Sequence, residues 1–480
     1  MSAAPLDRLL EAEPVQVARR ALDEAGIRAW AVGGAVRDAL LGRPVRDVDL
    51  AVDGPPEQGA RAIARAGRGP AFQLSEAFGA WRAMGGADRW TCDVSPLQGE
   101  TIEDDLARRD FTVNAMAVPL DAPAGAAPID PHGGARDLER RVLRVLDGAY
   151  ESDPLRPLRL ARLATELDLA PDPETERLTR AAAAGVSRAS PERVFAELRR
   201  LIAADRVLAG VELADGLGLV AAVLPELAAL HGVEQSRYHH LDVHGHTIEV
   251  LSRLLDVERE PQAVLGSELG ARVHAALAEP LADELTRWQA LRFAALLHDV
   301  GKPATRGVRD DGRVTFIGHD AVGEEMARAA CRRLRTSERL ASFLGAVTRH
   351  HLTLGFLVHQ RPLSRAAVYR YLKSCEPVEL EVTVLTCADR LATRGASAER
   401  AIALHLELAR QLAAEALDWR ARPPRAPVRG DELAAELDIP PGPEIGALLA
   451  QLEEAAFAGE ASTREDALAL ARRLRQNSPT

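Results

Sequence analysis

Cysteine is scarce. Cys92, Cys331, Cys375 and Cys387 are scattered without CxxC spacing, which excludes a disulfide scaffold and a zinc ribbon and fits a reducing, cytoplasmic compartment. No run of 18 uncharged apolar residues occurs, so no transmembrane helix and no membrane partner are expected. The start, MSAAPLDRLLEAEPV, has no basic stretch leading into an apolar one, and a secretory signal is not expected. Aromatics make up 4%, too few to suggest base-stacking platforms for single strands. Lysine is nearly missing: only Lys302 and Lys373 stand among the 60 basic residues. Alanine is abundant as well, so this arginine bias reads as genome composition and carries no site information. A net charge of −11 argues against a general nucleic-acid coat, yet leaves room for a local basic groove.

What is present is a globular chain. Hydrophobic residues are 47% of 480, enough for several cores, and at about 150 residues per domain roughly three are expected. Residues 28–53 alternate between strand and helix signals: RAWAVGG, AVRDALLG and VRDVDLAV. Further strand-like runs are 88–97, 111–120 and 142–146. From 151 onward alanine, leucine, arginine and glutamate recur with helical periodicity, so the rest reads as almost entirely helical. The proline-rich stretch ARPPRAPVRG (421–430) reads as a linker before a small helical tail.

Two constellations carry chemistry. Asp47 and Asp49 lie two apart in an expected strand, so their side chains share a face. Two carboxylates on one face suit Mg²⁺, which takes hard oxygen ligands and keeps positions open for phosphate. Upstream, Gly33-Gly34 marks a strand-to-helix turn where backbone can approach a triphosphate, and Arg37 follows as a fork donor. DxD alone is common, and either aspartate can be a solvated strand residue. The preceding GGAVRD shifts the reading toward metal-assisted phosphoryl chemistry. Asp93 is either a third carboxylate of this face or a turn residue before Ser95-Pro96. Gly133-Gly134 reads as a turn. Glu192 and Arg193 follow Ser190-Pro191 and read as helix-start residues.

WAVGGAVRDALLGRPVRDVDLAV resembles the first motif of the class II tRNA nucleotidyltransferase and bacterial poly(A) polymerase family. Four more stretches match in order: ARRDFTVNAMAV (107–118), DPHGGARDLERRVLRVL (130–146), SDPLRPLRLAR (152–162) and SPERVFAELRRLI (190–202). The resemblance implies an α+β fold, with a mixed α/β, polymerase β-like nucleotidyltransferase head over 1–150. A helical neck over 151–235, a body over 236–420 and a tail over 421–480 would follow. It implies that Asp47 and Asp49 hold catalytic Mg²⁺, and that Gly33, Gly34 and Arg37 cradle the triphosphate. Arg109, Asp110 and Asn114 would contact phosphate and sugar. Asp153 and Arg156 would read the incoming base, with Arg159 and Arg162 also on the nucleotide side. A carboxylate accepts from an exocyclic amine, which cytosine and adenine carry and uracil does not. The partners so implied are the tRNA 3′ end, CTP and ATP.

Two departures from the family pattern bear on specificity. The nucleotide-selecting motif begins with Glu in the family, whereas here Ser152 stands there, with Glu151 one place earlier. Only eleven residues separate Asp93 from Asp105, where full CCA-adding members carry a longer loop. The short spacing predicts addition of C residues alone, with a separate A-adding enzyme completing the end. Full CCA addition and poly(A) synthesis are the rival activities.

The second constellation runs His246, His298-Asp299, His319, His350-His351 and Asp389. Neutral imidazoles and carboxylates suit divalent metals with open positions. The order resembles the HD phosphohydrolase superfamily over about 239–395. By that resemblance His246, His298, Asp299 and Asp389 would bind one metal, a transition metal or Mg²⁺. His319 and either His350 or His351 would complete a second. Lys302 would contact a phosphate or cap a helix end. His239, His240 and His244 read as surface residues. The implied activity is that of a phosphodiesterase or phosphatase. A rival reading makes this the principal activity, with the head reduced to RNA binding. The tail, GDELAAELDIPPGPEIGALLAQLEEAAFAGEASTREDAL, also resembles the family's C-terminal segment and by that resemblance would help hold the tRNA; its other reading is a packing module.

Overall fold

The computed structural model describes residues 5–76, 79–86, 90–235, 241–393, 398–440 and 442–476. The chain forms two compact units, Met1–Val223 and Leu224–Thr480. No described helix is long and apolar enough to cross a membrane.

The first unit is built on a six-stranded sheet. Its strands are β1 (Arg28–Val32), β2 (Asp47–Asp53), β3 (Ala71–Ser75), β4 (Ala80–Gly85), β5 (Trp90–Pro96) and β6 (Ala117–Pro119), in spatial order β3-β4-β5-β2-β1-β6. In β2, Val48 and Leu50 turn into the core while Asp47 and Asp49 face out, the alternation that period-two geometry requires. Helix α1 (Gly34–Leu40) joins β1 to β2, and α2 (Pro56–Gly67) leads away from β2, burying Ala60, Ile63 and Ala64. β2 and β5 run parallel with Asp49 opposite Asp93, and β1 runs antiparallel to β2 with Val32 opposite Asp49. This register sets the turn after Val32 directly beside the carboxylates. Short helix α3 (Ile102–Leu106) follows β5, closed by a Thr101/Asp104 capping box, a reciprocal pair that fixes where the helix starts.

The stretch 111–120 is not a continuous strand as expected. A single 3-10 turn, Thr112–Asn114, precedes β6, and Asn114 bonds back to Asp110. Beyond the sheet the unit is helical. The helices that matter for the site are α4 (Arg156–Leu167), with leucines 158, 160, 163 and 167 buried, and α5 (Pro191–Ala203).

The second unit is a helical assembly with a three-helix tail. Helix α6 (Val243–Arg259) packs against α7 (Arg287–Leu297) and, further on, α10 (Glu379–Leu391), while α8 (His319–Leu334) packs against α9 (Glu338–His350), which also meets α7. Helix α7 is apolar nearly all round, with Leu291, Phe293, Ala294, Leu296 and Leu297 buried, the pattern of a central helix. The tail helices Gly430–Leu437, Pro443–Ala458 and Arg464–Gln476 share a core of Leu433, Leu437, Leu452 and Leu468. The helical reading of 151 onward missed three short β pairs. Ala170–Pro171 lies parallel to Val142–Leu143, and two small hairpins occupy 280–286 and 307–315.

Candidate active site and metal centre

In the first unit, Asp47, Asp49 and Asp93 form one acidic face. Asp93 is a mid-strand residue, not a turn residue, and Arg82 forks both of its oxygens at 2.7 Å. Asp47 accepts from Thr91 Oγ1 at 2.8 Å. Asp49 is solvent-accessible on this face. Desolvation by the protein packed around it raises its carboxyl above the ordinary range; Arg109 and Arg37 oppose the shift, while Asp93 and Asp47 add to it. A carboxylate held up in this way among two others is relieved by a divalent cation, so the oxygen donor set fits Mg²⁺.

Gly33 shapes the other wall. Its φ is +68°, and an added Cβ would lie 2.7 Å from Arg109 Nη1 and 3.8 Å from Asp49 Oδ2. Only glycine suits both that backbone and that approach. Arg109 is steadied by Asp105, whose Oδ2 accepts from Nε and Nη2 at 3.1 and 2.9 Å. Arg37 forks Asp38 and donates to Asn114 Oδ1 at 2.5 Å. Asn114 donates to Asp110 Oδ1 at 2.9 Å, and Asp110 Oδ2 accepts from Arg159 Nη1 at 3.0 Å. Burial works against the Asp110 charge, but Arg159 and Asn114 outweigh it and hold the carboxyl below the usual range.

The chain of charges continues into α5. Glu197 accepts from Arg159 Nε at 3.1 Å and from Arg162 Nε. Arg162, buried, donates on to Glu166 at 2.6 Å. Arg156 lies along backbone: Nη1 donates to the carbonyls of Arg109 and Ala149 and to Ser152 Oγ, and Nη2 to the carbonyl of Arg108. Ser152 thus occupies the family's Glu position as an acceptor for Arg156. Asp153 accepts from Leu155 N at 3.1 Å and from Arg193 Nη2 at 2.6 Å. Arg193, in the first turn of α5 as the helix-start reading expects, is thus also an ion-pair partner, and Ser190 makes no side-chain cap. Gly133-Gly134 is the expected turn, capped by Asp130.

Sequence reasoning missed Asp105, Glu197 and Arg82. Asp105 carried a signal, standing four residues before Arg109 on a helical stretch. Glu197 sat inside a recognised motif without an assigned partner. Nothing in the local pattern marked Arg82.

In the second unit α7 ends at His298, and the HD pair lies at the centre of the fold, each residue 1% exposed. Two ligand groups form around it: His246, His298 and Asp389, and Asp299, His319 and His351, with the donor atoms of each group within 4.8 Å of one another. His246 Nε2 is 3.1 Å from Asp389 and 3.8 Å from Asp299. His319 Nε2 is 3.3 Å from both Asp299 Oδ1 and His351 Nε2. His298, His319 and His351 each set Nδ1 on the carbonyl three residues back, at 2.8, 2.7 and 2.6 Å. A carbonyl only accepts, so Nδ1 carries the proton and Nε2 presents its lone pair to the centre. Burial pushes His351 down to about 4, keeping it neutral. The buried His298 Nε2 makes no hydrogen bond of good geometry among the described residues, and Asp299 Oδ2 lies 3.2 Å from it. This donor set fits divalent metal.

His350, offered as an alternative to His351, belongs to neither group. It is half-buried, and the charges facing it are Arg349, Glu324 and Asp320. Adjacent residues at a helix end point about 100° apart, so only one can face the centre. Among the described residues Lys302 bonds side chains instead of a helix end: Nζ reaches Asp299 Oδ2 at 2.6 Å and Gln235 Oε1 at 2.8 Å. His244 is buried, not at the surface, with its ring stacked 3.6 Å from His231. His239 and His240 lie outside the described residues.

The first site joins paired carboxylates on a strand to a glycine turn and arginine forks, an arrangement suited to a nucleotidyl-transfer head. The family model described as "Poly A polymerase head domain" matches residues 29–95 and 88–144. "Probable RNA and SrmB- binding site of polymerase A" matches 168–230, and "HD domain" matches 272–394. The A-adding tRNA nucleotidyltransferase of Deinococcus radiodurans is 36% identical, over 93% of this chain and 96% of that protein. The CC-adding enzyme of Thermus thermophilus is 35% identical over 92% of each. The chain belongs to the tRNA nucleotidyltransferase family. The fold agrees: the Thermotoga maritima CCA-adding enzyme complexed with tRNA superposes with a TM-score of 0.63 at 20% identity, covering 98% of both chains.

Proposed function

We propose that this enzyme extends the 3′ end of tRNA with C residues from CTP, releasing pyrophosphate. The observation that carries this reading is the convergence of Arg109 Nη1 and Asp49 Oδ2 on the Gly33 turn. A magnesium nucleoside triphosphate needs a cationic fork and a metal-binding carboxylate at one point. Asp47 and Asp49 would hold Mg²⁺, which when bound activates the RNA hydroxyl and offsets the charge of the leaving pyrophosphate. The Gly33-Gly34 turn leaves room for the phosphates, and Arg37 and Arg109 bind them. Asp110 and Asn114 hold Arg37 in place on the sugar side. Asp153, with Arg156 beside it, accepts from the exocyclic amine of the base, and Arg159 and Arg162 brace that wall. Addition of C alone is supported by the tight link from β5 to α3, where only residues 97–101 intervene. The four buried cysteines, all free, suit the cytoplasm.

The test is incubation with Mg²⁺ and tRNA ending at the discriminator base, with CTP, ATP or both, resolved to single nucleotides. Two additions that stop with ATP present support CC addition and require an A-adding partner. Three additions ending in A replace it with full CCA addition. Full incorporation by Asp47→Ala would overturn the head chemistry.

The second unit supports a second activity, hydrolysis of a phosphate ester at an RNA end. The two ligand groups sharing the Asp299 region carry this reading. His246, His298 and Asp389 would hold one metal, and Asp299, His319 and His351 the other; such metals supply an activated water. Unchanged metal content and hydrolysis in His298→Ala would sink it.

A further inference from the structure

Of the three arginines facing Asp153, the one that touches its carboxylate is Arg193. Its Nη2 donates to Oδ2 at 2.6 Å from 40 residues away, on the first turn of α5. Arg156 gives its Nη atoms to three carbonyls and Ser152 Oγ. Oδ1 is fixed by Leu155 N. The Asp153 side chain is 19% exposed and that of Arg193 50%, so the pair stands at the edge of the site with room for a ligand. Each carboxylate oxygen has two lone pairs, and among the described residues one hydrogen bond is made to each.

We propose that Arg193 is a positioning residue that sets base specificity, by holding Asp153 as a fixed acceptor-only edge. This rests on the reading above, in which Asp153 faces the incoming base. The chemistry is a matter of donors and acceptors. An ionised carboxylate can only accept, so it takes the exocyclic amine of cytosine or adenine and rejects the carbonyl at the equivalent position of uracil. A protonated carboxyl carries an O–H and can donate to that carbonyl. A carboxylate free to rotate also loses its fixed direction. Selectivity for amine-bearing bases therefore depends on Asp153 being both ionised and anchored.

The groups facing Asp153 are Arg193 from α5 and Arg159 and Arg156 from α4. Burial works to raise the carboxyl, and the Arg193 hydrogen bond is the largest influence opposing it, leaving the group below its ordinary range. Without Arg193, burial is opposed by the Leu155 hydrogen bond and by the α4 arginines at longer range.

The experiment measures kcat and KM for CTP and UTP separately, on tRNA ending at the discriminator base, from pH 6 to 8. Arg193→Ala is expected to lower the CTP-over-UTP ratio of kcat/KM by about ten- to a hundredfold, the worth of one charge-assisted hydrogen bond. The loss is expected to grow as pH falls. Arg193→Lys restores most of the ratio, because an ammonium also anchors a carboxylate. A merely structural role would lower both nucleotides' kcat/KM alike, with no pH trend in their ratio, and that result overturns the proposal. Asp153→Asn separates the two layers. Its amide can donate, so it should move the ratio toward UTP by at least as much as Arg193→Ala. If Asp153→Asn leaves the ratio unchanged, the base-reading role of Asp153 falls. If Asp153→Asn shifts it and Arg193→Ala does not, only the Arg193 proposal falls.

Discussion

Glu197→Gln is the most informative single change in the first unit. Glu197 is 8% exposed and joins α5 to two arginines of α4. Glutamine keeps the volume but removes the charge, and turns an N–H group toward a guanidinium that only donates. Breaking a buried ion pair from one side costs about 3–5 kcal/mol. Here the remaining partners soften the loss. Arg159 keeps Asp110, and its side chain is 29% exposed; Arg162 keeps Glu166. We therefore expect about 2–3 kcal/mol of destabilisation. For a unit of this size about 1 kcal/mol moves the midpoint by roughly 2–4 °C, so the transition of the first unit should fall by about 5–10 °C. Calorimetry on the full chain, with the second unit's transition as internal reference, reads this directly. The KM for CTP should rise several-fold, because Arg159 holds Asp110, Asp110 holds Asn114, and Asn114 holds Arg37. A shift below about 2 °C with unchanged KM would refute the reasoning, since exposed pairs behave that way. Replacing Glu197 and Arg162 together by leucine should recover part of the stability, as apolar substitutes for buried pairs do.

Three further outcomes are expected. Gly33→Ala forces a side chain into a backbone at φ +68° and against Arg109; about 1–3 kcal/mol of strain should appear in denaturant unfolding, with a CTP KM at least about tenfold higher if Arg109 is displaced. His351→Ala should lose one equivalent of Mn²⁺ in calorimetric titration, whereas His350→Ala should keep it. Asp110, held below its unfolded value, contributes stability that is fully present above about pH 4 and is lost as pH falls through its folded value. Asp110→Asn should therefore be less stable at pH 7 and show a flatter acid limb in denaturant midpoints between pH 7 and 3.

Short spacings were legible because covalent geometry fixes them. Period two puts Asp47 and Asp49 on one face whatever surrounds the strand, and a glycine pair before a helix demands a tight turn. The apolar run ending in His298-Asp299 announces a buried helix terminus. Five motifs in order, and the histidine–aspartate series, were enough to indicate the family and the α+β organisation.

The tertiary structure decided which partners meet. Glu197 is 38 and 35 residues from Arg159 and Arg162, and Arg193 is 40 from Asp153; no periodicity reaches that far. Arg82 finds Asp93 because strand register sets them opposite each other. His351 rather than His350 joins the candidate ligand group because of where α9 ends, a rotation of about 100° that identical neighbouring letters conceal. Residue type and short spacing come from the chain itself, whereas the pairing of buried charges depends on how helices and strands pack, and packing is settled only when the whole core closes.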